Sequence, residues 1–243
     1  MFILFAPSED KREGGKQLFH PSSLLFGLEN SRDEILDGYS KVISEQNPKQ
    51  LQELFGIKDP VKYNRFLEPL DNGRCLKAIE RYDGVAYEYL SYLTLSAEGQ
   101  GYLDDRVIIF SNLFGPIKAY DQIPDYKFKQ GASLENLLPE KFYKKYFSDP
   151  MDKIIGNDEV LDLRAGFYDK FYLPQYKYTT VKFLKEGKVV SHWAKAYRGI
   201  VLRECALHHI ESLEMVEKHL FVGLELIDKV CVKNKSELIF SIL

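Results

Sequence analysis

Cysteine is scarce in this chain: three in 243 residues, at positions 75, 205 and 231, odd in number and in no C-x-x-C pattern. That excludes a disulfide framework as the expected scaffold and makes a reducing, cytoplasmic compartment the default. Long apolar runs are missing too. Nothing approaches the roughly eighteen uninterrupted apolar residues that span a bilayer, and the opening MFILF is too short for a signal-peptide core. No membrane partner is expected. There is no G-x-G-x-x-G, no Walker loop, no G-x-S-x-G elbow and no readable Ser/His/Asp set, so neither a cofactor nor a nucleophile is predicted. The five histidines are scattered. The His208-His209 pair is read as lacking a Cys or carboxylate neighbour at ligand spacing, so no metal is predicted either. Excess positive charge is also lacking: the formal net charge of −3 argues against a generic polyanion binder.

What is present is the material of an ordinary folded protein, 45% apolar and 28% charged. No repeat, low-complexity tract or Gly/Ser linker divides it, so residues 1–243 are read as one domain. FILF is a short buried strand. Ser31 with Glu34 three residues on marks a helix start, and Ile35, Tyr39, Val42 and Ile43 share its apolar face. Asn47-Pro48 and Asp59-Pro60 each pair a capping side chain with proline at the first helical position, and Gly56 ends the first of these helices. RCLKAIERYDG continues the helical pattern, and AYEYLSYL resumes it after Gly84. RVIIFSN and EVLDL suit central strands, while PEKFYKKYF is a helix between them. YTTVKFL and VVSHW flank the turn KEGK as a hairpin. A helix follows over about 194–211, then two strands around a polar turn at 233–236. The class is α+β, a mixed sheet with surrounding helices.

The charge is unevenly distributed. From Arg164 to Arg203 nine Lys and Arg face two acids, a local +7, so the remainder of the chain carries about −10. An anion close by responds to that local field. On a helical wheel for the segment after Trp193, Arg203 falls inside the apolar stripe, Lys195 on its edge and Arg198 beside it. A buried cation is costly unless a carboxylate, carbonyl cluster or anionic ligand meets it. For Arg203 the alternatives are an ion pair with Asp162 or Asp83, or a ligand. Lys195 and Arg198, near a helix start, suit a phosphate or carboxylate, with His192 at the preceding strand end as a proton donor or acceptor. A second cluster, IIFSNLFGPIKAYDQIPDYKFKQG, interleaves aromatics with Lys118, Tyr126 and Lys127, a pattern suited to phosphate contact and base stacking. A third, APSEDKREGGK, places Ser8 and Lys11 on a strand-end loop.

At these residues the sequence resembles the YaaA (peroxide stress protein) family. FILFAPSEDK, YDGVAYEYL, FSNLFGPIKAYDQIPDYKFKQG, VLDLRAGFY and VSHWAKAYRG match family segments in the same order along nearly the whole chain. The resemblance implies a family-specific single-domain α/β fold with a basic cleft, DNA binding, and a role in surviving hydrogen peroxide by limiting free iron. A helix-hairpin-helix is attributed to the family, and its nearest counterpart here is Ser111 to Lys118. Asn112 stands where relatives can have Gly, and Pro116 removes an N–H. In SHWAK, Ala194 stands where some relatives carry Asn.

Two functions follow as expectations. One is a weakly sequence-selective DNA-binding protein of the oxidative stress response, with the anion held by Lys11, Lys118, Tyr126, Lys127, Arg164, His192, Lys195, Arg198 and Arg203. The other is an enzyme acting on a nucleobase or nucleotide, with Ser8, Asp83 and Asp162 lining a polar pocket in the same cleft.

Overall fold

A computed structural model describes residues 1–20, 24, 29–190 and 192–243. In chain order, β1 (Phe2–Phe5), β2 (Asp10–Lys11) and β3 (Gln17–Leu18) precede α1 (Glu29–Glu45), α2 (Pro48–Phe55) and α3 (Pro60–Tyr63). Next come β4 (Arg74–Lys77), α4 (Ala78–Arg81), β5 (Tyr82–Asp83), α5 (Val85–Leu90) and α6 (Ala97–Arg106). Then β6 (Val107–Ser111), β7 (Gly115–Lys118) and β8 (Gln122–Ile123) lead to α7 (Pro139–Ile155) and β9 (Val160–Asp162). The last elements are β10 (Tyr178–Lys185), β11 (Lys188–Val189), α8 (His192–Leu207), α9 (Leu213–Lys218), β12 (Leu224–Val232) and β13 (Lys235–Ile242).

The main sheet runs β12-β13-β10-β9-β1-β6-β7, with β11 hairpinned onto β10. Its five middle strands, β13, β10, β9, β1 and β6, are parallel to one another, while β12 and β7 close the two edges antiparallel. Parallel strands are covered on both faces and read as continuous apolar runs. VIIFS in β6 is buried at all five positions, as this requires. Helices pack around the sheet in a single mixed α/β domain with one apolar core. No helix among the described residues is long and apolar enough to cross a membrane.

Local chemistry sets most boundaries. Asn47 accepts from the Lys49 and Gln50 amides at the start of α2, and Gly56 ends that helix at φ 69°. Asp59 accepts from Val61 N ahead of α3. α1 begins at Glu29, two residues before the expected cap, and the Ser31 side chain lies outside the described residues. RCLKAIER is not one helix. Cys75 pairs with Gln17 and Leu76 with Ile123, so the segment is a strand before it becomes the single turn of α4. Pairing on both sides outweighs the helical propensity of a segment too short to hold a helix alone.

Candidate functional site at the carboxyl ends of the parallel strands

From β1 the chain reaches β6 and β7 on one side of β1, then crosses back to β9 on the other side. That reversal makes the β1/β9 boundary the topological switch point, where ligand crevices open beyond the carboxyl ends of strands. Two side-chain groups gather there.

The first group follows β1. Ser8 Oγ accepts from the Asp10 amide at 3.3 Å. β2 pairs with β5, Asp10 opposite Asp83 and Lys11 opposite Tyr82. Lys11 is buried: its Nζ donates to Ser8 O at 3.2 Å and Glu9 O at 3.3 Å. The same ammonium lies 4.1 Å from the Tyr126 ring centroid and 5.3 Å from that of Tyr82. Lys127 Nζ donates to Glu9 O at 3.2 Å and lies 3.5 Å from the Glu9 carboxylate. Burial pushes the Lys11 pKa down to about 7, Lys127 adds to the fall, and Asp125, Glu9 and Asp10 oppose it. Behind them the phenols of Tyr82 and Tyr126 meet at 2.8 Å, and Tyr126 meets Ser111 Oγ at 2.8 Å. Burial pushes Tyr82 up to about 12 and raises Tyr126 well above the ordinary phenol value.

The second group follows β9. Arg164 is clamped onto Asp162 through two bonds, Nε to Oδ1 at 2.9 Å and an Nη to Oδ2 at 2.7 Å. Its other donors reach Tyr168 O at 3.1 Å and Tyr172 O at 3.0 Å, and it lies 4.3 Å from the Phe110 ring centroid. Arg198, on α8, is a second cation near Asp162. It is half-buried, and its Nε has no hydrogen-bond partner among the described residues. Burial lowers its pKa while Asp162 raises it. Lys195, three residues earlier and so on the same helical face, is exposed.

The expected site residues therefore separate. Ser8, Lys11, Tyr126 and Lys127 share the first group, with Asp83 beside it, 3.6 Å from Arg12 Nε. Asp162, Arg164 and Arg198 form the second. Tyr126 is 1% exposed, its ring edge-on to Phe114, so no base can stack on it in this conformation. Lys118 pairs with Ile108, toward the amino end of β6, whereas Ser111 sits at the carboxyl end. It lies over Tyr120, away from both groups. Arg203 meets neither Asp162 nor Asp83. It donates to Leu90 O at 2.9 Å, Ser91 O at 3.1 Å and Thr94 Oγ1 at 3.0 Å, closing the carboxyl end of α5. The His192 side chain lies outside the described residues.

The hairpin-like segment also has a different form. Ser111 to Lys118 is the β6–β7 turn, with Asn112, Leu113 and Phe114 buried. The Leu113 and Phe114 amides donate to Ser111 Oγ, and Tyr143 covers Gly115, so these N–H groups do not face a phosphate.

Sequence reasoning missed three features. Arg32 and Arg81 are fully buried: Arg32 donates to Phe114 O and Pro116 O at 2.8 Å each, and Arg81 binds four backbone carbonyls. Nothing in their local pattern distinguishes them from surface arginines. The third is Glu204, which stands one turn before His208. The spacing E-x-x-x-H was the available signal, and the fold adds His219.

A family model described as "Peroxide stress protein YaaA" matches residues 1–229. Among similar proteins, an uncharacterized protein of Campylobacter jejuni is 44% identical over the full length of both chains. A UPF0246 protein of Corynebacterium glutamicum is 32% identical over 87% of each chain. A UPF0246 protein of Streptomyces coelicolor is 28% identical, covering 84% of this chain and 82% of its own. With a match that runs from β1 through most of β12, the chain belongs to the peroxide stress protein YaaA family.

Proposed function

We propose that this chain serves the hydrogen peroxide response by binding DNA, gripping a backbone phosphate between Arg198 and Lys195 and limiting iron-dependent oxidative damage to the DNA. The observation that carries this is Arg198: a half-buried guanidinium whose Nε–H has no partner among the described residues, beside an exposed lysine in the opening turns of a sixteen-residue helix. A buried donor left unpaired costs about 1–3 kcal/mol. Arg198 Nε is itself sealed from solvent, so a phosphate oxygen meets it only once the half-buried guanidinium turns outward, and that turn removes the cost. The helix dipole adds positive potential at the same end. The oxidative role rests on the family's name and on the resemblance, since none of the contacts above bears on peroxide or iron.

Removing one cation that neutralises a phosphate lowers the salt dependence of affinity by about one counterion. Fluorescence anisotropy with a labelled duplex, titrated with KCl, reads this directly. Lys195→Glu and Arg198→Met should weaken binding for every sequence tested, with a flatter slope. Arg198→Met should hold or gain thermal stability, because it removes an unpaired buried donor. Binding that ignores salt, or is unchanged in both variants, sinks the reading.

A second reading, an enzyme acting on a nucleobase or nucleotide in the same region, is favoured by one observation. Lys11 has its pKa near neutrality and sits among phenols at the switch point, where it can exchange a proton at physiological pH. Thermal stabilisation by mononucleotides but not by duplex DNA would favour this alternative.

A further inference from the structure

Glu204 and His208 lie four residues apart along α8 and the turn that ends it, so their side chains leave one face of the helix. The chain turns through α9 and returns His219 as its C-cap, with the His219 amide donating to Met215 O at 3.0 Å. That return brings a third donor to the same point. His219 Nε2 is 3.2 Å from Glu204 Oε2, and His208 Nε2 is 3.6 Å from the same oxygen. The ligand atoms of all three lie within 4.8 Å of one another. Phe221 packs edge-on against the His219 ring at 4.7 Å between centroids and helps fix its plane. The Glu204 side chain is only 11% exposed, and its ion-pair partners among the described residues are these two imidazoles.

We propose that Glu204, His208 and His219 form a binding site for a divalent transition metal that favours imidazole, of which Zn²⁺ is the type. The spacing fits. With metal–ligand bonds of about 2.0–2.1 Å, adjacent ligands of a tetrahedral ion stand about 3.4 Å apart. The two separations from Glu204 bracket that edge. The donor set fits as well: two nitrogens and one carboxylate suit Zn²⁺, Co²⁺ or Ni²⁺, whereas Mg²⁺ and Ca²⁺ demand oxygen-rich cages. Three protein ligands leave a fourth position open, on the side where His208 is exposed. Glu204 lies nine residues beyond Lys195, about 13 Å along the helix, so this site is independent of the phosphate reading.

The test uses EDTA-stripped protein in a Cys231→Ser background, because Cys231 is an exposed thiol that would itself take metal. Co²⁺ titration followed by visible absorption should show one tetrahedral site, displaced by Zn²⁺. Isothermal titration with Zn²⁺ should give one equivalent, weakened at least tenfold in His208→Ala and in His219→Ala, and unchanged in His209→Ala. Equal Zn²⁺ affinity in a His208→Ala/His219→Ala double variant overturns the site, as does a stripped protein that takes up none. Should the variants misfold, nitrogen chemical shifts of the imidazoles in the otherwise unaltered protein decide. Zn²⁺ must move His208 and His219 and leave His20 and His209 in place. A uniform shift, or none, refutes it.

Discussion

At the scale of single residues, the cations divide by whether their donors are spent. Arg32, Arg81, Arg164 and Arg203 are occupied by carbonyls or by Asp162, and Arg32, Arg81 and Arg203 each tie together segments distant in sequence. Arg198 Nε has no hydrogen-bond partner among the described residues. Lys11 differs again, because its burial is expressed as a lowered pKa rather than as an ion pair. Between about pH 7 and the ordinary lysine value near 10.5, the unfolded chain holds a proton on Lys11 that the folded chain has released. Stability from this group therefore rises as pH increases through that window, and its cost is fully present below pH 7. We expect Lys11→Met to flatten the rise in urea stability between pH 7 and 10, by an amount on the order of a few kcal/mol. A variant whose pH profile parallels the parent would show that Lys11 stays charged in the fold. The sequence put Lys11 in one candidate segment and Tyr126 and Lys127 in another; the fold brings the three together, and their burial was invisible in the sequence. Each is covered by residues from elsewhere in the chain, Tyr82 and Glu9 above all.

At the scale of elements, capping and proline chemistry was legible, and so were the apolar strands. Contacts between elements were not. The wheel for α8 identifies Arg203 as anomalous, yet its partners belong to α5 and the turn after it, about 110 residues earlier in the chain. The reason the two helices meet is Gly199. A Cβ at that position would overlap Ala86 O and stand 3.1 Å from Leu90 N, so α5 lies directly on the α8 backbone. Gly199→Ala must push the helices apart and loosen both the Arg203 cap and the adjacent Arg198. The expected loss is about 3 kcal/mol. Gly101, inside α6, has nothing within 4 Å of its hypothetical Cβ, and Gly101→Ala should instead stabilise by about 0.5–1 kcal/mol through helix propensity. Denaturant melts of the pair separate close packing from propensity. If both variants stabilise, the α5–α8 contact is looser than described.

At the scale of the whole molecule, what sequence could not supply was strand order, because neighbours in a parallel sheet are joined by crossovers rather than by adjacent turns. The last two strands read as a terminal hairpin, which invites the view that they are an appendage. The topology says otherwise. β13 lies between β10 and β12 and pairs in parallel with β10 from Tyr178 opposite Lys235 through Leu184 opposite Ser241. Leu238 and Phe240 are core residues, the latter stacked near Phe183 and edge-on to Phe221. The family model ends at residue 229, within β12 and before β13 begins. A chain cut after Val232 would keep every residue that the family model matches. It would nonetheless lose the strand that carries β12 and leave the long parallel edge of β10 unpaired, an open template for association. We therefore expect the 1–232 fragment to aggregate or to lose its cooperative thermal transition, as judged by size-exclusion chromatography and circular dichroism. A monomeric fragment melting near the temperature of the full chain would mean that β13 is dispensable. In that case the sheet is closed by β10 alone, and His219, at the end of α9, would have to be held against Glu204 without the Phe221–Phe240 contact behind it.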